Sequence, residues 1–204
     1  MRPSSEYWQQ WRGRTVAVLA SGPSMTQQDA DYVQGKARTI AVNTTFRMAP
    51  WADVVYSNDE DWYEAHLAEL RRSTSSFFWC GHPTWRNMYV HPIPFERAAP
   101  GLVNAPGRIA WGMNSGAAAL NLALHFGAAK IVMLGYDQSW PNGRGHWHPP
   151  HPRHLQNRQP GFHRWREWYE QAAKDFEALG VDVVNCSRST ALTCFRRADL
   201  REAL

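Results

Sequence analysis

The residues best suited to chemistry lie in a short polar loop that follows an apolar run. Thr15–Ala20 (TVAVLA) predicts a buried strand, and the residues after it are Ser21, Gly22, Pro23 and Ser24. The glycine lets the backbone approach a ligand, the proline stiffens the bend, and Ser24 is expected to cap the next helix, whose first amides attract anions. The same residues form ordinary strand–helix turns, so a phosphate site and a plain turn both remain open.

Two further polar positions are expected where neighbouring strands end. Asn43 follows the apolar run Thr39–Val42, and Asp59 follows Val54–Tyr56 after a short gap. In an open parallel sheet, ligands bind outside the carboxyl ends of the strands. Asn43 offers a donor and an acceptor to a base or a sugar, and Asp59 could hold a ribose hydroxyl or Mg²⁺. A turn-forming role is the alternative for each.

A second candidate anion site opens a helix of small residues. Asn114, Ser115 and Gly116 precede it, and Ser115 is expected as the N-cap, leaving backbone amides exposed to a ligand. The alanines that follow also suit close packing of a helix on a sheet. Asp137, which ends a later strand after Gly135, could orient a histidine, bind Mg²⁺ or turn the chain.

Histidines are concentrated in a loop rich in glycine, proline and histidine that runs from Gln138 to Phe162. Four of them could ligate Zn²⁺ or another transition metal, could bind substrate or exchange protons, or could be polar groups without a special role. The four are His146, His148, His151 and His154.

His163 is a sharper candidate for a catalytic base. It stands where a long amphipathic helix begins, and the positive end of the helix dipole disfavours protonation of an imidazole there. A neutral imidazole is what general-base catalysis requires. Capping of the helix, or simple exposure to solvent, is the alternative.

The elements that must position these residues alternate between β-branched runs and helical patterns. That order predicts an α/β fold: a single Rossmann-like domain over residues 1–204, with a mostly parallel sheet flanked by helices. Residues 81–112 show little periodicity and predict a long irregular excursion. The remaining predicted strands are Ser76–Cys80, Lys130–Leu134 and Val181–Asn185, and the predicted helices are Gln27–Val33, Asp61–Arg71, a helix from Asn114 through Phe126, and Arg164–Leu179.

The composition of the chain restricts the classes of molecule that we expect it to bind. Lys plus Arg number 22 and Asp plus Glu number 18, a net charge of +4 that suits an anionic small molecule but does not indicate nucleic acid. No signal peptide or membrane segment is recognisable in the sequence. The three cysteines have no metal-ligand spacing and are interpreted as reduced thiols. We therefore expect a cytoplasmic protein.

The motifs, taken in order, resemble a known family. The chain is similar to the phage and prophage proteins grouped with the MptE-like Rossmann domain family and, more distantly, to the bacterial lipooligosaccharide sialyltransferases. The similarity covers most of the chain, with residues 81–112 matching poorly. It is carried by LASGPSM (Leu19–Met25), AVNTTF (Ala41–Phe46), the unit Asn114–Asp137 that ends in GYD, a histidine before the penultimate helix, and VVNCSRSTAL (Val183–Leu192).

The sialyltransferase resemblance implies a role for each matching position. Gly22, Pro23 and Ser24 would hold the phosphates of the nucleotide, Asn43 would contact the donor, Ser115 and Gly116 would line the nucleotide site, and the general base would be His163. The chain departs from that pattern in lacking an obvious pair of tyrosines for the leaving phosphate, since Tyr136 and Tyr169 are poor substitutes. It is also shorter than those enzymes.

These observations lead to three functional hypotheses. The first is a transferase that uses a nucleotide or nucleotide-sugar donor, most plausibly a glycosyltransferase, with the Gln138–Phe162 loop as an acceptor-binding lid. In such a transferase, the positive charge that stabilises the departing phosphate could come from Arg144, Arg153 or Arg158. The second is an ATP-dependent diphosphokinase with Mg²⁺ at Asp59 or Asp137. The third is a non-catalytic phage nucleotide-binding protein. The acceptor is not specified by the sequence.

Overall fold

The computed structural model of the chain describes residues 8–74, 76–81, 87–97, 100–140, 143–151, 155 and 161–204. Its main feature is a parallel β-sheet with helices on both faces. The strands are β1 (Thr15–Leu19), β2 (Arg38–Val42), β3 (Val54–Ser57), β4 (Phe77–Cys80), β5 (Val90–Pro92), β6 (Phe95–Glu96), β7 (Ile109–Ala110), β8 (Lys130–Leu134), β9 (Asp182–Asn185) and β10 (Arg196–Arg197). The helices are α1 (Gln27–Val33), α2 (Glu60–Ser73), α3 (Ser115–His125), α4 (Phe162–Ala178) and α5 (Leu200–Ala203), with a 3₁₀ helix at Asn43–Arg47.

The order of the strands creates a switch point between β1 and β8. The main sheet runs β10-β9-β8-β1-β2-β3-β4-β5, and its neighbouring strands pair in parallel. The chain builds outward from β1 through β2 to β5 on one side, and from β8 through β9 to β10 on the other. This architecture confirms the predicted Rossmann-like α/β fold, in which ligands bind where the strand order reverses.

Both faces of the sheet are covered, which explains why its central strands are apolar runs rather than alternating patterns. Val16 and Val18 of β1 pack on the same side as α3 and α4. Ala17 and Leu19 point to the other side, where α1 and α2 pack. The small residues of α3 are buried against the sheet, as the close-packing interpretation predicted. Helix α1 follows β1, so it begins at the carboxyl edge of the sheet beside the switch point.

The predicted elements agree with the observed ones closely. Helix α1 and strand β8 have the predicted bounds, and the other predicted strands and helices differ by one or two residues at an end. Residues 81–112 were expected to be irregular, but the described part of this excursion contributes edge strand β5 and the small parallel pair β6 and β7. None of the helices in the described residues combines the length and apolar character needed to cross a membrane.

Candidate functional site

The loop after β1 is closed by a carboxylate from the strand on the other side of the switch point. The backbone N–H of Ser24 donates to Asp137 Oδ2 at 2.9 Å, and the Ser24 hydroxyl donates to Asp137 Oδ1 at 2.8 Å. A Cβ on Gly22 would lie 2.2 Å from Asp137 Oδ1 and 2.4 Å from the carbonyl oxygen of Gly135. The glycine is therefore required by the approach of the chain to itself, and Asp137 occupies the anion position of this loop.

The start of α1 is capped by a different residue from the one expected. Thr26, not Ser24, is the N-cap, and it forms a capping box with Asp29. Arg188, from the segment after β9, makes a bidentate pair with Asp29 at 2.9 and 2.8 Å. The prediction of Ser24 as the cap is wrong because α1 begins at Gln27, which places Ser24 two residues before the cap, where it bonds to Asp137 instead. The donors at this junction thus serve carboxylates of the chain itself.

These two carboxylates have opposite pKa shifts. Burial raises the pKa of Asp137 above its ordinary value, although the bonds from Ser24 oppose this. Burial acts in the same direction on Asp29, but hydrogen bonds from Arg188 and Thr26 together outweigh it and lower the pKa. The difference arises because Asp29 has a cationic partner, whereas Asp137 is held by neutral donors.

The start of α3 retains donors for a ligand. Asn114 is the N-cap and accepts from the N–H of Ala117 at 2.9 Å, so the expectation that Ser115 caps the helix is wrong. Ser115 is the first helical residue, and its hydroxyl oxygen accepts from the N–H of Asn58 at 3.0 Å. The N–H groups of Ser115 and Gly116 have no acceptor among the described residues. First-turn amides of this kind attract anions.

Two tyrosine hydroxyls also converge on the start of α3. Tyr136 donates to the carbonyl oxygen of Gly116 at 2.9 Å, and Tyr169 donates to Asn114 Oδ1 at 3.1 Å. The two rings are 6.0 Å apart in an edge-on arrangement. Both side chains are buried. Tyr136 and Tyr169, which by sequence are poor substitutes for the tyrosine pair of the sialyltransferases, therefore border the free amides of α3.

Two residues beyond the carboxyl ends of strands combine an unfavourable backbone with an unpaired oxygen. Asn43 follows β2 with φ 50°, and Gln138 follows the β8 turn with φ 49°. The side-chain oxygens Asn43 Oδ1 and Gln138 Oε1 are buried and accept no hydrogen bond from the described residues. Left-handed backbone and an unpaired buried acceptor each destabilise a fold, and such costs concentrate at functional sites. Both oxygens are suited to a ligand N–H or O–H.

Asp59 stands at the same edge, one strand further out. It is the N-cap residue of α2, but its carboxylate makes no capping hydrogen bond. Protein atoms crowd around this carboxylate and raise its pKa, with Asp61 adding repulsion, although the residue as a whole is exposed. The preceding Asn58 contacts Ser115, which joins the end of β3 to the start of α3. Asp59 is therefore near the free amides and accessible from solvent.

The histidine-rich loop folds back over the carboxyl ends of β1 and β2. The N–H of Trp147 donates to the carbonyl oxygen of Ser21 at 3.1 Å, and its indole Nε1 donates to Thr45 Oγ1 at 3.3 Å. Burial lowers the pKa of His146, and the nearby backbone of Ser21 acts against this shift. The described part of this loop therefore covers the edge of the sheet where the loop after β1 begins.

Three histidines of this loop lie in ring contact, and His66 from α2 joins them. Ring centroids are 4.9 Å apart for His146 and His148, 4.7 Å for His148 and His151, and 6.0 Å for His66 and His151. Burial lowers the pKa of His148 and of His151 to about 4, and repulsion from the neighbouring histidines adds to it. His154, the fourth predicted ligand, lies outside the described residues.

The ring nitrogens of this cluster do not yet converge on one point. No group of three or more His, Cys, Asp or Glu side chains in the described part of the chain is placed to hold a metal ion as it stands. One nitrogen, His148 Nε2, is nevertheless buried without a hydrogen-bond partner among those residues. The predicted metal site at His146, His148 and His151 therefore remains a prediction.

His163 lies apart from these groups, on the solvent side of α4. Its side chain is 85% exposed, and its Nδ1 is 3.2 Å from Glu167 Oε1 on the next turn. Glu167 also lines a groove of about 260 Å³, together with Arg164 and Trp168. The Nε1 of Trp168 is buried without an acceptor among the described residues. His163 thus precedes Arg164 and pairs with Glu167, two residues that line the groove.

The structure gathers most of the predicted residues at one edge, around contacts that sequence spacing did not reveal. The Ser24–Asp137 pair and the Asn114–Gly116 turn are joined through Tyr136. Asn43, Asp59 and the histidine loop border them. The functional candidates that sequence reasoning missed are His66, Gln138 and Arg188. The place of Gln138 after the turn that ends β8 was a usable signal, whereas nothing in the sequence links His66 to the loop.

Comparison with known proteins adds no relative. No family model matches the chain, and no curated protein or solved structure has significant similarity to it. A fold of this class supports many unrelated activities. The function must therefore be inferred from the side chains and free backbone groups at the carboxyl edge of the sheet.

Proposed function

We propose that the chain binds a nucleotide-activated donor at the switch point and transfers a glycosyl group from it. The observation that carries this proposal is the pair of buried oxygens Asn43 Oδ1 and Gln138 Oε1, which belong to residues with left-handed backbone and have no donor among the described residues. A fold retains such costs where a ligand removes them. The resemblance of the chain to the MptE-like family and to the sialyltransferases is the second support for this proposal.

The phosphates of the donor are assigned to the start of α3. The free N–H groups of Ser115 and Gly116 point out of the positive end of a helix of 11 residues. Gly22, Pro23 and Ser24 lie in the loop after β1, a strand on which α3 packs, and the donors of Ser24 are engaged by Asp137. A phosphate at α3 therefore does not compete with the Asp137 carboxylate for the same N–H groups.

The base and ribose are assigned to the strand ends. Strands β8 and β2 flank β1, so their ends are about 10 Å apart at the usual strand spacing. Asn43 follows β2 directly and Gln138 lies four residues beyond the end of β8, so the ring N–H and ribose hydroxyl groups of a nucleoside that spans the switch point can donate to both. The carboxylate of Asp59, which makes no capping hydrogen bond, offers a further acceptor for a ribose hydroxyl.

The acceptor is assigned to the groove beside His163. Glu167 accepts a hydrogen bond from His163 when Nδ1 carries the proton, which leaves the lone pair on Nε2 as the base. In the reaction, the acceptor oxygen would form a bond to the anomeric carbon as the bond from that carbon to the phosphate oxygen breaks. Its proton would pass to His163, and the nucleotide would depart with the electron pair.

The proposed compartment is the cytoplasm, within a host cell if the gene belongs to a phage. Cys80, Cys186 and Cys194 are free thiols, the state that a reducing compartment maintains. Burial raises the pKa of Cys186 and of Cys194 to about 11, so neither is activated as a nucleophile. The proposed chemistry uses none of the three.

Calorimetric titration with nucleotides and sugar nucleotides tests the binding step. We expect the natural chain to bind at least one of them, and Asn43→Gly and Gln138→Gly each to weaken it five- to tenfold through loss of a ligand hydrogen bond. Because glycine relaxes the left-handed backbone, both variants should keep or gain up to about 1 kcal/mol in free energy of unfolding.

The matched control is Gln9→Gly, which relaxes an exposed residue with φ 66° far along the chain from the site. It should leave nucleotide affinity unchanged. Absence of binding by any nucleotide would refute the proposal, and so would equal losses in all three variants. Transfer activity is tested separately: His163→Ala should abolish sugar transfer while binding persists. Turnover that releases AMP from ATP with Mg²⁺ would instead identify a diphosphokinase.

A further inference from the structure

We propose that the groove lined by Arg97, Arg164, Glu167 and Trp168 receives an acidic sugar, whose carboxylate or phosphate group is held by the two arginines. The volume of the groove, about 260 Å³, lies just below the usual range of ligand sites, which is about 300–1,000 Å³, so it suits a single sugar ring. This inference rests on the proposed function, because it names the chemical class of the molecule to which the glycosyl group is transferred.

The groove adjoins the proposed phosphate site through two pairs of neighbouring residues. Met113 and Trp168 line the groove. The residues that follow them are Asn114, the N-cap of α3, and Tyr169, whose hydroxyl donates to Asn114 Oδ1 at 3.1 Å. A sugar in the groove would therefore lie next to the helix start to which the phosphates of the donor are assigned.

The two carboxylates that line the groove are already engaged by residues outside it. Glu96 Oε1 pairs with the guanidinium of Arg108 at 2.8 Å. Glu167 Oε1 is 3.2 Å from Nδ1 of His163. Each carboxylate thus has a partner of its own, and neither forms an ion pair with a cation that lines the groove in the described part of the chain.

The two arginines of the groove form no ion pair with any carboxylate that the structure describes. The guanidinium of Arg97 lies over the ring of Trp111 at 4.7 Å and over that of Phe95 at 5.3 Å. Stacking on aromatic rings positions a guanidinium and leaves its in-plane N–H groups free for a bidentate oxyanion. Arg164, in the first turn of α4, adds a second positive charge.

The hydrogen-bonding groups that these residues leave unused are donors. Trp168 is only 2% exposed, and its Nε1 has no acceptor among the residues described. The strand ends show the opposite pattern, since Asn43 and Gln138 leave acceptors unused. A ligand of the groove must therefore supply oxygens and negative charge. An acidic sugar does so through its anionic group and still has a hydroxyl that can give its proton to His163.

Titration of the full chain with matched sugars, followed by nuclear magnetic resonance, tests the site. The probes are methyl glucuronide, which carries a carboxylate, glucose 6-phosphate, and the neutral methyl glucoside. At least one charged sugar should bind about tenfold more tightly than the glucoside, and added salt should reduce this preference. The two charged probes distinguish a carboxylate from a phosphate. Arg97→Gln and Arg164→Gln should each reduce the preference at least about threefold, because each removes a charged donor.

The matched control is Arg166→Gln, which removes an exposed arginine of α4 that does not line the groove and should keep the preference. Far-ultraviolet circular dichroism establishes that each variant is folded. Equal affinity of the natural chain for charged and neutral sugars overturns the inference. So does an unchanged preference in folded Arg97→Gln and Arg164→Gln, or an equal loss in Arg166→Gln.

Nucleotide titration of the same samples separates this inference from the proposed function. Arg97→Gln and Arg164→Gln should bind nucleotide as the natural chain does, because neither residue is assigned to the donor. Nucleotide binding without a preference for charged sugars would refute the acidic sugar alone. A preference for charged sugars without nucleotide binding would refute the proposed donor site and leave the sugar site standing.

Discussion

Two strand–helix junctions of this molecule look alike in sequence and differ in what they leave free. At the first, before α1, Ser24 bonds to Asp137 and Thr26 forms a capping box with Asp29. Arg188 then neutralises Asp29. At this junction carboxylates of the chain itself take the place of an external anion.

The second junction, before α3, is only partly filled. Asn114 satisfies the N–H of Ala117, and Ser115 uses its hydroxyl oxygen to hold Asn58. The N–H groups of Ser115 and Gly116 have no acceptor in the described residues. A serine beside a glycine at a helix start therefore predicts donors, but the strand packed alongside decides whether an external anion can use them.

The largest expected difference in stability between the two junctions comes from replacing one glycine with alanine at each of them. Gly22→Ala places a Cβ 2.2 Å from Asp137 Oδ1, so it should lower the free energy of unfolding by about 3 kcal/mol. Gly116→Ala meets Asn114 Oδ1 at 3.2 Å and gains helix propensity, so its cost should stay below about 1 kcal/mol. Urea unfolding measures both, and equal losses would contradict the contrast.

The elements of the fold were predictable because they depend on residues adjacent in sequence. The difference between the two strand–helix junctions was not, because it depends on residues far apart in the chain. The bounds of α1 and β8 follow from apolar periodicity and from the turn residues beside them, which are local. The Ser24–Asp137 bond joins residues 113 positions apart and depends on β8 lying next to β1. A parallel pair of strands separated so far in the chain has no sequence signature. The sequence could thus locate the candidate anion site after β1, but it could not show that the Asp137 carboxylate occupies it.

The same limit applies to the histidines and to the strained positions. The loop histidines were visible as a group, but His66 meets them only because α2 and the loop both pack at the edge beyond β2 and β3. Asn43 was predicted from its place after a strand. Its positive φ and that of Gln138 depend on the path the backbone takes after the strand. Side-chain type therefore predicted candidates, while tertiary packing decided which retained an unused atom.

An intermediate effect is expected when the internal anion is removed from the first junction. Asp137→Ala leaves the N–H and hydroxyl of Ser24 without their acceptor and should lower the free energy of unfolding by about 2 kcal/mol. Added formate, a small carboxylate, should restore part of this loss in the variant and have little effect on the natural chain. Urea unfolding with chloride as the salt control measures the rescue. Equal effects of formate and chloride would contradict an anion seat at Ser24.

The smallest effect concerns pH, because Asp29 and Asp137 should respond to it with opposite signs. The pKa of Asp29 is lowered from 3.8, so its contribution to stability is present above that pH and is lost as the pH falls through the folded-state value. The pKa of Asp137 is raised from 3.8, so its contribution is largest below that pH and is lost as the pH rises through the folded-state value. Unfolding free energies of Asp29→Asn and Asp137→Asn, each compared with the natural chain from about pH 3 to pH 7, measure this. The deficit of Asp29→Asn should grow with pH while that of Asp137→Asn shrinks. Deficits that change in the same direction would mean that the Asp137 carboxylate, like Asp29, is held by a cation, and the distinction between the two carboxylates would fail.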